Sequence, residues 1–279
     1  MRVGRRLVYL FLGLFLAFYV LLGGVARLYT DWLWFKSLGF QAVFWKAILS
    51  RVSLQAGAGL VIFIFVFLNL WVAGRHFSRP FKIISGEVET VELGQWVGAV
   101  GRWLLILLLL LGSGVVALIL SSLAASKWLT WQQCLHPAAF GVKDPFFGND
   151  LGFYLFNLPW HVFAYRLAFG VVLLTLVAVL LIYLVSDPLK GYGWWRSPRV
   201  VRHLSFLGAA LFMLKAWGYY LHQFLLYYSE RGAIFGPGYT DLHASLPAVR
   251  VLILVALFMA LVSVYGGIRG SFIYPAGAV

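Results

Sequence analysis

The sequence is poor in charged residues, in acidic residues above all, and in cysteine. Only 11% of its 279 residues are charged, nine residues are Asp or Glu, and one is cysteine. Soluble domains are about a quarter charged, so a chain that is 62% hydrophobic is excluded from that class. The single Cys134 excludes an internal disulfide and a CxxC metal cluster. Its Cys-x-His pair with His136 supplies too few ligands for zinc.

Six long apolar runs without Asp or Glu occupy most of the chain. A bilayer core about 30 Å thick needs about 20 apolar residues of helix, because no water is there to satisfy backbone groups. The runs predict an all-α fold, a polytopic integral membrane helical bundle of about six transmembrane helices in a single domain over 1–279. The predicted spans are 7–28, 52–72, 103–123, 162–185, 204–226 and 248–265.

The positive charges between the spans predict the orientation of the chain. A net charge of +13 is spread over short connections and does not form the single basic face that nucleic acid would need. Twelve Lys and Arg residues lie on the side that includes the N-terminus, against seven on the other side. By the positive-inside rule both termini are cytoplasmic. The first run is longer than the core of a cleavable signal peptide, which predicts an uncleaved first span.

Two outer connections have distinctive sequences. The segment Tyr29–Lys36 is rich in aromatic residues, which predicts an interfacial helix or elbow. The connection 124–161 contains Asp144-Pro145 and Gly148-Asn149-Asp150, which are turn formers and predict an ordered loop at the membrane surface. Asp144 and Asp150 are also candidate cation ligands, but they lack the spacing of a calcium loop, so turn structure is favoured.

One full charge, Lys215, falls in the middle of the predicted span 204–226, beyond the reach of either membrane surface. A charge at that depth is a candidate functional site. Helical spacing places it on one polar stripe together with Tyr219, His222 and Gln223. Two interpretations remain open. In the first, the stripe packs against other spans, with Lys215 bonded to carbonyls or to hydroxyls such as those of Ser113 and Thr175. In the second, it forms a pathway for a ligand, an ion or a lipid.

Motifs that would indicate an enzyme do not occur. The sequence has no GxSxG, no HExxH and no pair of aspartates within a span. It also lacks the mid-membrane carboxylates that cation-coupled transporters use. We therefore predict no catalytic activity, no metal and no cofactor.

Three groups of motifs resemble a known family. They are Tyr29-Thr30-Asp31-Trp32-Leu33-Trp34-Phe35, then Asp144-Pro145 through Gly152-Phe153-Tyr154 to Leu158-Pro159, and finally Lys215-Ala216-Trp217-Gly218-Tyr219-Tyr220 through Ser229-Glu230-Arg231-Gly232 and Gly238-Tyr239-Thr240-Asp241 to Leu246-Pro247. In this order the chain resembles bacterial multi-pass membrane proteins of uncharacterised protein family 0182. The resemblance implies about seven spans followed by a large extracytoplasmic domain, with no assigned activity and no functional residue to transfer. The chain ends at Val279 without that last span or domain, so it resembles an N-terminal part.

These observations predict a non-enzymatic module of the bacterial plasma membrane that anchors or organises an extracytoplasmic domain or partner. The alternative is a transporter, channel or lipid-handling protein that binds an anionic group with the Lys215 stripe. Neither hypothesis involves nucleic acid, and the lipid bilayer is a partner in both. The candidate docking surface on the outer face consists of Asp31, Trp32, Asp144, Asp150, Tyr154, Glu230, Arg231, Tyr239 and Asp241.

Overall fold

The computed structural model describes residues 2–77, 99–186, 197–230 and 236–270. Within these ranges the chain is all-α, as predicted, with no strand and one isolated antiparallel bridge between Lys143 and Asp150. The α-helices are α1 Arg2–Ser37, α2 Gln41–Phe77, α3 Ala99–Ser126, α4 Trp128–Leu135, α5 Leu158–Ser186, α6 Pro198–Leu225 and α7 Leu246–Arg269. Arg231 lies outside the described residues, and so do most of the residues in the predicted cytoplasmic connections 73–102 and 186–203.

Within the part of the chain that the structure describes, five segments are long and apolar enough to cross a membrane, so the chain is a multi-pass membrane protein. They are Gln41–Arg75, Trp103–Ser126, Phe153–Val185, Pro198–Tyr228 and Asp241–Arg269. Each contains one of the predicted spans from the second to the sixth. The first predicted span, 7–28, lies within α1, and its crossing of the membrane stays a prediction.

The chain divides into two compact units, and the first comprises Met1–Ser53. Its α1 continues without a break through the aromatic segment Tyr29–Lys36. The separate interfacial helix or elbow predicted there is therefore replaced by the last turns of one long helix. The helix ends at Ser37, and a turn follows at Gly39, whose φ of 77° is readily adopted by glycine. Phe35 and Phe44 pack across this turn with ring centroids 5.7 Å apart.

The second unit, Leu54–Val279, contains the buried core. Val66 of α2, Ala117 of α3 and Val171 of α5 are buried together in one cluster. Ala73 of α2 and Val179 of α5 belong to another cluster, which α6 completes. Long apolar side chains elsewhere on these helices are largely exposed, as expected of helices whose solvent is lipid.

Helices α6 and α7 pack against each other more extensively than any other described pair. A Cβ on Gly267 of α7 would lie 3.3 Å from Cβ of Ser205 in α6, so the backbones approach closely. Ala256 and Ala260 of α7 are also buried. Small residues allow helices in lipid to gain dispersion energy where no hydrophobic effect drives them together.

Helices α5 and α7 are each preceded by a π-helical turn, Phe153–Asn157 and Asp241–Ser245. In both, the N–H of the leucine that begins the α-helix donates a hydrogen bond to the carbonyl oxygen five residues earlier. A proline follows each of these leucines directly. Proline lacks an N–H, and its ring collides with the carbonyl four residues earlier. The wider π turn moves that carbonyl aside, so the Leu-Pro pairs at 158–159 and 246–247 account for both turns.

Candidate functional site

The residues 136–152, here called the Asp144 loop, fold around the carboxylate of Asp144. Asp144 is 5% exposed. Its two oxygens accept five hydrogen bonds, from the backbone N–H groups of Phe146 (2.9 Å), Phe147 (2.6 Å) and Asn149 (2.9 Å) and from the hydroxyls of Tyr154 (2.8 Å) and Tyr227 (2.7 Å). The carboxylate therefore joins its own loop to the π turn before α5 and to the end of α6, which continues as the 3₁₀ turn Leu226–Tyr228.

These hydrogen bonds determine the protonation state of Asp144. Burial is the largest single influence and raises its pKa, because it penalises the charged form. The bonds from the Phe147 and Asn149 N–H groups and from the Tyr227 and Tyr154 hydroxyls together outweigh burial, so the pKa lies well below its ordinary value. The group is a carboxylate at neutral pH.

Asp150 forms a second set of hydrogen bonds, all of them within the Asp144 loop. Its carboxylate accepts hydrogen bonds from the N–H groups of Phe140 (3.0 Å), Gly141 (2.8 Å) and Gly152 (2.7 Å). The Phe140 and Gly152 bonds, with help from the Gly141 bond and the charge of Lys143, hold the pKa of Asp150 below its ordinary value. Both aspartates thus form turn structure, as the sequence predicted, and the residues described include no group of three His, Cys, Asp or Glu able to hold a metal.

Gly152 lies where the two ends of the Asp144 loop meet. A Cβ at this position would overlap the backbone carbonyl oxygen of Ala138 and lie 3.0 Å from Oδ1 of Asp150. Glycine is required here by space, because neither the carbonyl nor the hydrogen-bonded carboxylate can move freely.

Aromatic rings connect the Asp144 loop to the end of α6. The rings of Phe147 and Phe224 are 5.0 Å apart, and so are those of Tyr154 and Tyr227. The Tyr228 hydroxyl donates to the Tyr154 carbonyl at 2.7 Å. We call the region formed by the Asp144 loop, residues 153–158 and residues 224–228 the Asp144 end of the bundle.

A second candidate site is a cavity of about 310 Å³ between α5, α6 and α7. Its polar lining comprises Tyr165, Arg166, Lys215, Tyr219 and His222. Its remaining lining comprises Gly218 and the apolar Val162, Leu221, Leu225, Val249 and Leu252. The structure thus brings together three of the four residues of the predicted stripe.

Lys215 does not make the contacts predicted for a packed lysine. Its Nζ lies 5.3 Å from the ring centroids of both Phe169 and Tyr219, within range of cation–π attraction. Thr175 instead donates its hydroxyl to the Val171 carbonyl at 2.7 Å. The buried Ser113 Oγ has no hydrogen-bond partner within the described ranges. The structure therefore contains no hydrogen bond from Lys215 to either of these two hydroxyls.

Gln223 and Arg166 both differ from the site predicted from the sequence. Gln223 is buried and does not line the cavity. Arg166 and Tyr165 do line it, although neither was predicted from the sequence to belong to a site. The available signal was the position of Arg166 inside the predicted span 162–185, since any charge at that depth is a candidate functional residue.

A third polar group, missed from the sequence, lies at the opposite end of the bundle from the Asp144 loop. His203 of α6 lies 2.9 Å from Oδ1 of Asn69 through Nε2, and 2.8 Å from the Tyr183 hydroxyl through Nδ1. Asn69 donates its own amide to the Phe65 carbonyl, which leaves Oδ1 as an acceptor. Nε2 of His203 therefore carries the proton, and Nδ1 accepts from Tyr183. This chain of bonds connects α2, α5 and α6 by side chains.

The candidate docking residues differ in accessibility. Asp144, Tyr154 and Asp241 are buried by the chain itself and cannot present their side chains to a partner. Asp150 is half-buried, whereas Glu230 is exposed and Tyr239 is 77% exposed. In the first unit Asp31 is exposed and Trp32 is half-buried, with Nζ of Lys36 4.9 Å from its ring.

The chain is similar to a family of much longer proteins. The family model described as "Uncharacterised protein family (UPF0182)" matches residues 8–279. A UPF0182 protein of Pelotomaculum thermopropionicum is 38% identical over 92% of this chain and 29% of its own length. One of Desulforamulus reducens is 35% identical over 87% and 28%, and one of Salinispora tropica is 35% identical over 93% and 26%. The chain therefore spans less than a third of the length of these relatives, and no solved structure matches it.

Proposed function

This chain belongs to the uncharacterised protein family UPF0182, and we propose that it is a non-enzymatic membrane module that anchors or organises an extracytoplasmic domain or partner. The observation that carries the proposal is the construction of the Asp144 end. Its carboxylates are occupied by internal hydrogen bonds, and apolar side chains are directed outward. Phe140, Phe146 and Leu155 are each at least 50% exposed.

A rigid surface with exposed aromatic rings is suited to association, because aromatic residues supply much of the energy of protein interfaces. The relatives are more than three times as long as this chain. The part of the relatives that this chain does not match is therefore a candidate partner for such a surface. The distribution of Lys and Arg supports an orientation with the Asp144 end outside a bacterial plasma membrane and the N-terminus in the cytoplasm.

The proposal predicts that this chain retains the rest of a family member without a covalent link. Coexpressed with the part of the Pelotomaculum relative that it does not match, the tagged chain should copurify that part in mild detergent. A Phe140→Ser, Phe146→Ser variant should retain at least tenfold less, because loss of two interface aromatics typically costs more than about 1.4 kcal/mol.

The matched control is Trp103→Ser, which changes an aromatic side chain that is 71% exposed in α3, away from the Asp144 end. It should retain the partner as the wild type does. Absence of copurification with the wild type, or equal retention by all three chains, would contradict docking at this surface.

The cavity favours a second candidate function, that of a transporter, channel or lipid-handling protein that binds an anionic group. Lys215 and Arg166 give this cavity two cations and no acidic side chain in its lining. A Lys215→Met variant reconstituted in vesicles should then lose most anion flux or lipid exchange. A correctly folded variant with full flux and exchange would exclude this function.

A further inference from the structure

The cavity between α5, α6 and α7 holds charges that nothing else in the described chain neutralises. Lys215 and Arg166 both line it, and neither forms an ion pair or a hydrogen bond with a described residue. Cations at membrane depth normally pair with an acid or with backbone carbonyls, because an isolated charge costs several kcal/mol there. An anion bound between them would remove that cost.

The polar groups around the cavity are those that bind an oxyanion. Ammonium and guanidinium groups donate hydrogen bonds and accept none, and guanidinium matches two oxygens of a phosphate at once. The hydroxyls of Tyr165 and Tyr219 can donate as well, and the His222 imidazole lines the same space. Carboxylates, which would favour a cation, are absent from the lining.

The size and walls of the cavity limit the ligand further. At about 310 Å³ it is about twice the volume of an engineered cavity of about 150 Å³ that holds one benzene molecule. It therefore accommodates a small headgroup but not the acyl chains of a lipid. Arg166, His222 and Leu252 are exposed, so the cavity opens on the side of the bundle, where acyl chains can lie against apolar helix surface.

We propose that this cavity binds the phosphate group of an anionic membrane lipid, with Arg166 and Lys215 as the binding cations and Tyr165 and Tyr219 as additional donors. The inference deepens the second candidate function and rests on its cavity alone. Binding without transport would remove that function and leave the lipid site intact.

The test measures lipid binding to the full chain by native mass spectrometry from a neutral detergent. The probes are phosphatidylglycerol, zwitterionic phosphatidylcholine and inorganic phosphate. We expect one phosphatidylglycerol to bind tightly. We expect Arg166→Gln and Lys215→Gln each to weaken it about tenfold, since a hydrogen bond to a charged group contributes about 1.5 kcal/mol or more.

Two further variants separate loss of binding from loss of folding. Lys215→Arg keeps the charge and should retain affinity within a few-fold. Arg250→Gln removes an exposed cation from the same end of α7 that does not line the cavity, and it should bind as the wild type does. Phosphatidylglycerol binding that is equal in all the Gln variants, or that is matched by phosphatidylcholine, would overturn the proposal. Inorganic phosphate that displaces the lipid would support the oxyanion site and show that the headgroup alone is recognised.

Discussion

Replacing Asp144 by alanine should lower the free energy of unfolding by about 3 to 5 kcal/mol, because five hydrogen-bond donors lose their shared acceptor. The Tyr154 and Tyr227 hydroxyls and three backbone N–H groups would be left around an uncharged methyl group. Chemical unfolding in mixed micelles measures the loss. Amide hydrogen exchange should show residues 144–149 becoming unprotected together with the end of α6.

Asp150→Ala is the matched control, since its carboxylate binds N–H groups of the Asp144 loop alone. It should expose amides within the loop while the end of α6 stays protected. Equal exchange at the end of α6 in both variants would show that Asp144 does not connect the loop to that helix.

The stabilisation by the Asp144 carboxylate should depend on pH. Because the folded-state pKa of Asp144 lies below its ordinary value of 3.8, the stabilisation from its carboxylate is complete above that pH and is lost as the pH falls toward the lowered pKa. The stability difference between the wild type and Asp144→Asn should therefore shrink between about pH 5 and pH 2. A difference that stays constant over this range would show that the lost stability does not depend on the charge.

Gly152→Ala should cost about 2 to 3 kcal/mol, because the new methyl group would overlap the carbonyl oxygen of Ala138. Relief requires the backbone to move, and the Asp150 hydrogen bonds to Phe140 and Gly141 resist that movement. Chemical unfolding in mixed micelles measures the loss of stability. Amide hydrogen exchange should show the destabilised backbone at residues 138–152.

Gly170→Ala provides a control with the opposite expected sign. This glycine is exposed within α5, and a Cβ there meets nothing within 4 Å. Alanine should be neutral or stabilise the chain by up to about 1 kcal/mol through helix propensity. If both glycine variants changed stability equally, the close approach at Ala138 would not be the cause.

Local sequence was sufficient to predict five membrane helices but not the contacts between them. Apolar runs fix a membrane span wherever they occur, so the spans from the second to the sixth were predicted. Helical spacing also placed Tyr219 and His222 on the face of Lys215, because offsets of four and seven residues rotate by only about 40° and 20°. Gln223 is eight residues away, a rotation of about 80°, which turns its side chain into the bundle.

The remainder of both sites depends on packing across the chain. Tyr227 reaches Asp144 from 83 residues away, and no local pattern specifies that contact. Arg166 likewise meets the Lys215 face only because α5 packs on α6. The Asp144 turn was predictable from Asp-Pro and Gly-Asn-Asp, whereas the burial of its carboxylate was not.

The π turns before α5 and α7 change the orientation of the residues that precede these helices. A π turn contains one residue more than a turn of α-helix. The side chains before it are therefore rotated about the helix axis by about 100° from the positions they would have in an uninterrupted α-helix. Tyr154 and Asp241, which lie inside these turns, are buried at this offset. Loss of a single residue from Phe153–Asn157 would turn the Tyr154 hydroxyl away from Asp144 while leaving the residues of α5 unchanged. The length of this short segment therefore sets the angular alignment between the membrane helices and the surface above them.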